Sequence, residues 1–423
     1  MPPVACATKA TKMRAASALA FCVAVTASCG MLDVKEQQSR FDALCRFSGQ
    51  VTGDAHPDAP LVVVLFSPGH VIDHFVREGP GPWMLAASPG TYRLAAFQDL
   101  NRDLKLQPGE PFLRVDDVTC KAGERSAELV LRVPADGRSG HSDTFDVAAL
   151  QARTFDEQLE LSLGQVTAVG EIASLADPRF DESVAEDGLW RPFDFLFTGH
   201  PGVYFLGAYD STKIPVLFVH GINGTPQNFR TLIDRLDKRR FQPWVVYYPS
   251  GASLPALADH LTQTVTKLEL QYGFKSFVVV AHSMGGLVSR GFLQRYRAGG
   301  GKAQIPLFVS IATPWDGHKA AELGVKTAPA VVRVWIDMAP GSEYLKSIYE
   351  KDPGVPHYLM FSYRQGGVSL GEANDGTVTV ASQLRAAAQQ GAVRVEGFNE
   401  SHMSVLESSA VAARLNELLG RIP

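Results

Sequence analysis

Cysteine is scarce in this chain of 423 residues: there are five in all, and none lies beyond Cys120. The long C-terminal part therefore has no thiol to offer. An excess of charge is also missing. A net charge of −4 provides no basic field for a nucleic-acid backbone, so no nucleic-acid partner is expected. Nor does the body contain an apolar run long enough to span a bilayer. What remains, 45% hydrophobic and 20% charged residues, is the make-up of ordinary globular protein. The length suits about two or three domains.

The N-terminus departs from this composition. Lys9, Lys12 and Arg14 precede an uncharged stretch of small and apolar residues from Ala15 to Ser28, followed by Cys29. That order describes an export signal over residues 1–28. Val25-Thr26-Ala27-Ser28-Cys29 resembles the bacterial lipobox, with Thr26 where Leu is usual. The resemblance implies a lipidated Cys29 as the mature N-terminus, attached to a membrane. Ordinary signal cleavage nearby is the alternative. Gly30 implies, by the same resemblance, sorting to an outer membrane. If Cys6 and Cys22 leave with the signal and Cys29 takes a lipid, Cys45 and Cys120 remain as an even pair. In an oxidising compartment they are expected to bond to each other; otherwise they are two unrelated buried thiols.

Residues 29–44 read as a polar tether. Over 45–133, short runs at Arg46–Thr52, Leu61–Phe66, Pro82–Ala87, Gly90–Gln98, Phe112–Val118 and Ala127–Val133 alternate with Gly/Pro turns, as in a small all-β sandwich. Ser48-Gly49-Gln50-Val51 followed by the Gly90–Phe97 run resembles the transthyretin-like and carboxypeptidase-regulatory-like modules. Asp99, Asn101, Asp103 and Glu110 are spaced like EF-hand ligands for a hard cation. Leu104 stands where that loop wants Gly, and no helices flank it, so a polar turn is the competing reading. Residues 134–169 form a linker or bridging segment, and 170–423 a second, larger domain. Within that domain the aromatic stretch Gly170–Tyr209 is expected to cover a sheet edge.

From Ile214 onward, apolar runs and helical spacing alternate. Strands are expected at Ile214–Val219, Trp244–Tyr248, Phe277–Ala281, Leu307–Ala312, Tyr358–Tyr363 and Val393–Gly397. Helices are expected at Thr225–Arg240, at Leu254–Tyr272 with Gly273 as its stop, at Leu287–Arg297, and at Ser404–Leu419. Such alternation implies a mostly parallel sheet with helices on both faces.

The chain is organised around Ala281-His282-Ser283-Met284-Gly285-Gly286, which joins the Phe277–Ala281 strand to the following helix. A serine on a sharp strand-to-helix turn projects its hydroxyl into open space, and small neighbours let the backbone turn tightly. Three further features lie after strands. Val219-His220-Gly221-Ile222-Asn223-Gly224 follows the first clear strand. There the N–H of Ile222, with that of Met284, would aim at a developing oxyanion, supported by His220 and Gly221. Asp375, in Asn374-Asp375-Gly376, follows the Tyr358–Tyr363 strand. His402 lies between the last strand and the last helix. Serine needs a base to take its proton, and a base needs a group to fix its tautomer. The order Ser283, Asp375, His402 supplies those roles. Asp316 and Asp337 compete with Asp375 for the acid.

On these motifs the chain from about Gly202 resembles the lipase/esterase-type α/β-hydrolases, near the triacylglycerol-lipase and GPI-inositol-deacylase-like branch. Ala312-Thr313-Pro314-Trp315-Asp316-Gly317 and Met338–Leu345 are further matches, and Ala281 replaces the usual first Gly of the elbow. The resemblance implies an α/β-hydrolase fold behind the β-sandwich. Together with the export signal and the lipobox-like stretch ending at Cys29, it implies an exported, membrane-anchored serine hydrolase that cleaves ester or lipid substrates with no cofactor and no metal. The rivals are an amidase, thioesterase or acyltransferase using the same triad, and an inert surface-binding lipoprotein. The apolar residues between Trp315 and Pro356 either line or cap an acyl pocket, or pack the domain.

Overall fold

A computed structural model describes residues 33–68, 70–136, 144–147, 167–196, 198, 200–364 and 372–423. The export signal over 1–28, Cys6, Cys22, Cys29 and most of the 134–169 segment lie outside the described residues. Where a tether is expected, residues 33–42 are helical (α1). The helix has a reason to form: Val34 is buried, Gln37 Nε2 donates to Asp194 Oδ2 at 2.9 Å, and the Phe41 ring meets Phe193 edge-on at 4.9 Å.

Seven strands follow: β1 (Cys45–Gly53), β2 (Leu61–Ser67), β3 (His70–Arg77), β4 (Gly81–Ala87), β5 (Gly90–Gln98), β6 (Phe112–Cys120) and β7 (Leu129–Val133). They form a three-stranded sheet, β4-β1-β7, and a four-stranded sheet, β3-β2-β5-β6. Both sheets send side chains into one cluster, with Phe47, Trp83 and Leu131 from the first and Val63, Leu65 and Leu94 from the second. A disulfide joins Cys45, at the start of β1, to Cys120, at the end of β6, with Cα atoms 5.9 Å apart. The opposite face of the four-stranded sheet carries Val62, Val64 and Phe97, which cluster with Leu106 from the loop between β5 and β6 and with Leu270 from the C-terminal part of the chain.

The second sheet system has eight strands: β8 (Ala168–Ile172), β9 (Gly202–Phe205), β10 (Ile214–Val219), β11 (Phe241–Tyr247), β12 (Val278–His282), β13 (Phe308–Ile311), β14 (His357–Ser362) and β15 (Ala392–Phe398). Their order is β15-β14-β13-β12-β10-β11-β9-β8, and every pairing is parallel except β9 with β11. Burial on both faces explains the near-continuous apolar runs. Leu217, Val219, Val279 and Ala281 point to one core, while Val216, Phe218, Val278 and Val280 point to the other.

Helices fill the two faces. α5 (Leu254–Tyr272) and α6 (Met284–Ala298) cover one side, with Leu257, Leu261, Val265 and Leu268 as the buried stripe of α5. Gly273 ends α5 in the left-handed region at φ 63°, where a residue without Cβ is unstrained. α4 (Arg230–Asp234), α12 (Ser404–Glu407) and α13 (Ser409–Gly420) cover the other side. α2 (Glu182–Trp190) and α3 (Pro192–Leu196) lie between β8 and β9. α7 (Lys319–Thr327), α8 (Arg333–Met338) and α9 (Glu343–Ser347) lie between β13 and β14, and α10 (Val380–Gln383) and α11 (Ala386–Gln390) between β14 and β15. In the Trp315–Pro356 stretch, Val332, Val334, Met338 and Leu345 join the core, whereas Leu323 and Ile336 are exposed.

Several expected elements change. Thr225–Arg240 is not one helix. Pro226–Phe229 is a short 3-10 turn capped by Thr225, and α4 ends at Asp234. The last helix breaks at Ser408, whose backbone is extended. Gly170–Tyr209 does more than cover an edge, because β8 and β9 extend the sheet there, and β8 begins inside the expected linker. The strand order, the helices on both faces and the turn after β12 are those of the α/β-hydrolase fold.

Candidate active site

Ser283 sits between β12 and α6 at φ 54° and ψ −130°. This backbone region is unfavourable for a residue with a side chain, by about 1–3 kcal/mol. The turn is held by Ser283 N–H donating to Ile311 O at 2.8 Å and Gly286 N–H donating to Ser283 O at 3.0 Å. Close packing also demands glycine at position 285. A Cβ there would stand 2.3 Å from Val219 O and 2.4 Å from His220 O. Although Ser283 occupies the cap position of α6, its hydroxyl makes no capping bond. It is left for another partner.

That partner is His402. Its Nε2 lies 2.9 Å from Ser283 Oγ, and its Nδ1 lies 2.8 Å from Asp375 Oδ2. The hydrogen bonds are consistent with Nδ1–H donating to the carboxylate and Nε2 accepting from the serine hydroxyl. Asp375, wholly buried, lies in the loop between β14 and α10. Its Oδ1 accepts from the N–H groups of Thr377 at 3.0 Å and Val378 at 2.7 Å. Its Oδ2 also accepts from Ser362 Oγ at 2.6 Å and Gln383 Nε2 at 3.2 Å. Burial alone would raise this carboxyl, but the hydrogen bonds from His402, Ser362 and Val378 outweigh it and hold the group below its ordinary range.

The loops that carry the three residues are tied to one another. His402 N–H donates to Asp375 O at 2.9 Å, and His282 Nε2–H donates to His402 O at 2.8 Å. Burial keeps His282 neutral by pulling it down to about 3.

The loop after β10 lies against the serine. A Cβ on Gly221 would stand 2.8 Å from Ser283 Cβ and 3.3 Å from its Oγ. His220 fixes this loop. Its Nδ1–H donates to Gly221 O at 2.8 Å, its ring stacks on Tyr248 at 4.0 Å, and the Tyr248 hydroxyl donates to His220 O. Burial lowers His220 to about 4, which leaves it neutral in this role. Among the described residues, no acceptor meets the backbone N–H of Ile222 or Met284. The positive end of α6 also faces the serine oxygen.

The competing carboxylates lie elsewhere. Asp316 is exposed, 3.7 Å from Arg385 Nε. Asp337 Oδ2 accepts from Leu254 N–H at 2.8 Å, at the start of α5. The Asp99–Glu110 loop is a polar turn. Asp99 accepts from Asp103 N–H at 3.2 Å and Leu104 N–H at 2.8 Å, and Asn101 Nδ2 donates to Asp103 Oδ2 at 2.9 Å. Glu110 accepts from Leu100 N–H at 2.8 Å and Gln107 N–H at 2.9 Å. Among the described residues, no group of three or more His, Cys, Asp or Glu side chains could hold a metal ion.

Ser362, Gln383, His282 and Tyr248 went unnoticed in the sequence. Only the Ala-His-Ser spelling of the elbow, which puts an imidazole beside the serine, carried a local signal.

Residues 249–419 match the model of an α/β-hydrolase family of unknown function, DUF915. Solved structures similar to this chain include the product of the lin2722 gene of Listeria innocua (15% identity, 50% of this chain and 95% of that one, TM-score 0.39). Another is the mature lipase BlEst2 of Bacillus licheniformis (16% identity, 50% and 94%, TM-score 0.40). A third is a lipase-esterase related protein of Clostridium acetobutylicum (13% identity, 51% and 99%, TM-score 0.36). No curated protein matches the sequence.

Proposed function

We propose that the protein is a serine hydrolase that cleaves carboxylic esters, lipid esters among them, through an acyl-enzyme. The observation that carries this reading is the unbroken relay from Ser283 Oγ through His402 to the buried Asp375 carboxylate. In the proposed reaction, His402 Nε2 takes the proton from Ser283 Oγ as that oxygen attacks the ester carbonyl. The oxyanion that forms accepts hydrogen bonds from the N–H groups of Ile222 and Met284. Asp375 holds the Nδ1–H tautomer and stabilises the imidazolium. Collapse of the tetrahedral intermediate expels the alcohol, which receives the proton from His402. Water then attacks the acyl-enzyme with His402 again as base, releasing the acid and restoring Ser283. Every proton in this cycle passes through His402, so no cofactor is required.

A fluorophosphonate probe with p-nitrophenyl esters as substrates tests the reading. Wild type should be labelled and should turn over esters, whereas Ser283→Ala should do neither. An unlabelled wild-type protein would mean that the serine is not activated, as in an inert binding protein. Labelling with thioester or amide turnover but no ester turnover would assign the same residues to a different acyl transfer.

Export and lipid anchoring at Cys29 belong to the same proposal. Metabolic labelling with a palmitate analogue should mark wild type and leave Cys29→Ser unmarked; equal incorporation would refute the anchor.

A further inference from the structure

β3 is an edge strand of the four-stranded sheet, and α5 of the larger unit packs against it. The Val76 N–H donates across this junction to Gln263 Oε1 at 2.8 Å. Leu270, further along α5, joins the apolar cluster of the same sheet. Just beyond β3, Lys302 Nζ lies 3.1 Å from Glu78 Oε2. The spacing of His260, Gln263 and Lys267 places all three on one face of α5.

Two imidazoles are shut into the junction. His74, from β3, is only 5% exposed, and neither of its ring nitrogens has a partner among the described residues. His260 Nε2, from α5, is likewise buried without one. Lys267, 8% exposed, sets a positive charge close to both rings, and the Asp73 carboxylate faces that charge. Asp73 also accepts from the N–H groups of His74 at 2.8 Å and Ala86 at 2.9 Å. The other carboxylates around the adjoining cavity are already paired, Asp42 with Arg333 at 2.7 Å and Asp259 with Arg295 at 2.6 Å. Arg46 adds a further positive charge at its margin.

Buried polar atoms without partners are rare and unfavourable, and a cluster of them between two units calls for a reason. These rings fit only while neutral. In that state the Lys267 ammonium is balanced by the Asp73 carboxylate. Charging both rings would set three positive groups (Lys267, His74 and His260) against that one carboxylate, away from water. Burial and the charge of Lys267 both pull the histidines down, His260 to about 4.

We propose that the β3–α5 junction is an acid-sensitive clasp: uncharged rings let the N-terminal β unit seat on the larger unit, and proton uptake by His74 and His260 releases it. Once released, both rings meet water and titrate near their ordinary value of about 6.5. Seated, they titrate lower. Seating is therefore fully favoured above about 6.5, and that contribution is lost as pH falls towards about 4. Lys267, which burial pulls down only to about 8, stays charged throughout that window and opposes a second and third positive charge. The released β unit would stay tethered through α1, which holds the larger unit at Asp194 and Arg333.

Amide hydrogen exchange on the full chain, followed from neutral to acid pH and corrected for intrinsic rates, tests the clasp. Val76 N–H is the reporter, because its acceptor belongs to the other unit. Two controls show whether either unit unfolds: Asp99 N–H, bonded to Pro60 O at 2.9 Å, and Val279 N–H, bonded to Leu307 O at 3.2 Å. Below about pH 6.5, Val76 protection should fall about 10-fold per pH unit for each proton taken up, while both controls keep theirs. His74→Leu and His260→Leu are close in volume to the imidazoles and cannot ionise. Each should remove one proton's share of the fall, and the double variant should show none. An equal fall in these variants would assign the response to a carboxylate such as Asp73 or Glu78 and overturn the proposal. A flat wild-type curve would overturn it too. So would joint loss of protection at all three amides, which would mean acid unfolding in place of release.

Discussion

Asp375 accepts hydrogen bonds from two backbone N–H groups and three side chains, and this crowd decides its chemistry. Asp375→Asn should fold normally, since the amide oxygen can keep part of the network. Its turnover should nevertheless fall by about 10⁴, because His402 would present the wrong tautomer to Ser283. Asp316→Asn and Asp337→Asn should lose far less. Steady-state kinetics with melting temperatures as a folding control separate these outcomes. At the oxyanion loop, Gly221→Val would drive a side chain into Ser283 and should lose at least the about 10²–10³-fold that one missing donor is worth. Ile222→Ala keeps its N–H and should be mild. Full activity in Gly221→Val would put the hole elsewhere. Ser283 and His402 were legible in the sequence because each sits in a short local pattern at a strand end. Ser362 and Gln383 were not, since a serine at the end of a strand and a glutamine on a helix acquire meaning only from the carboxylate folded between them.

Among the elements, α5 was the most legible: its apolar stripe and Gly273 at the stop are both local signals. Its true cap was invisible. Ser253 makes no capping bond, and Asp337, from α8, accepts from Leu254 N–H instead. Asp337→Ala should lower stability by about 1 kcal/mol, as loss of a cap does. Burial raises Asp337 to about 6. A raised carboxyl favours the folded state fully below its unfolded value of about 4, and that contribution is lost as pH rises through about 6. Asp337→Asn, which keeps an acceptor and cannot ionise, should therefore gain on wild type in melting temperature between pH 4 and pH 7. A constant difference across that range would refute the titration. The helix at 33–42 and strand β3 escaped notice for a shared reason. Their polar residues (Gln37, Asp73, His74) look solvent-facing until a second unit is packed against them. The expected helix from Thr225 to Arg240 was overread, because helical spacing persisted beyond the residues that the core accepts.

For the whole molecule, the alternation of apolar runs with helical spacing was enough to expect a mostly parallel sheet. It could not reveal β9, a four-residue strand whose antiparallel pairing with β11 depends on partners distant in sequence. The cysteine count did anticipate one long-range contact. The Cys45–Cys120 bond spans 75 residues. On the chain-entropy model, closing a loop of that length stabilises by about 4 kcal/mol. Replacing both cysteines by serine should lower the melting temperature of the N-terminal strands and leave fluorophosphonate labelling at Ser283 unchanged. Loss of labelling would mean that the two units unfold together. Helix α1 bears on this coupling, because it leads almost directly into β1 while gripping the catalytic domain through Asp194 and through Asp42 with Arg333. A pull on the chain ahead of residue 33 therefore enters the molecule in shear along that helix. The load reaches α3 and α8 before it can peel a strand, so if the proposed anchor at Cys29 holds, tension would be borne by the larger unit, with the β unit as a passenger.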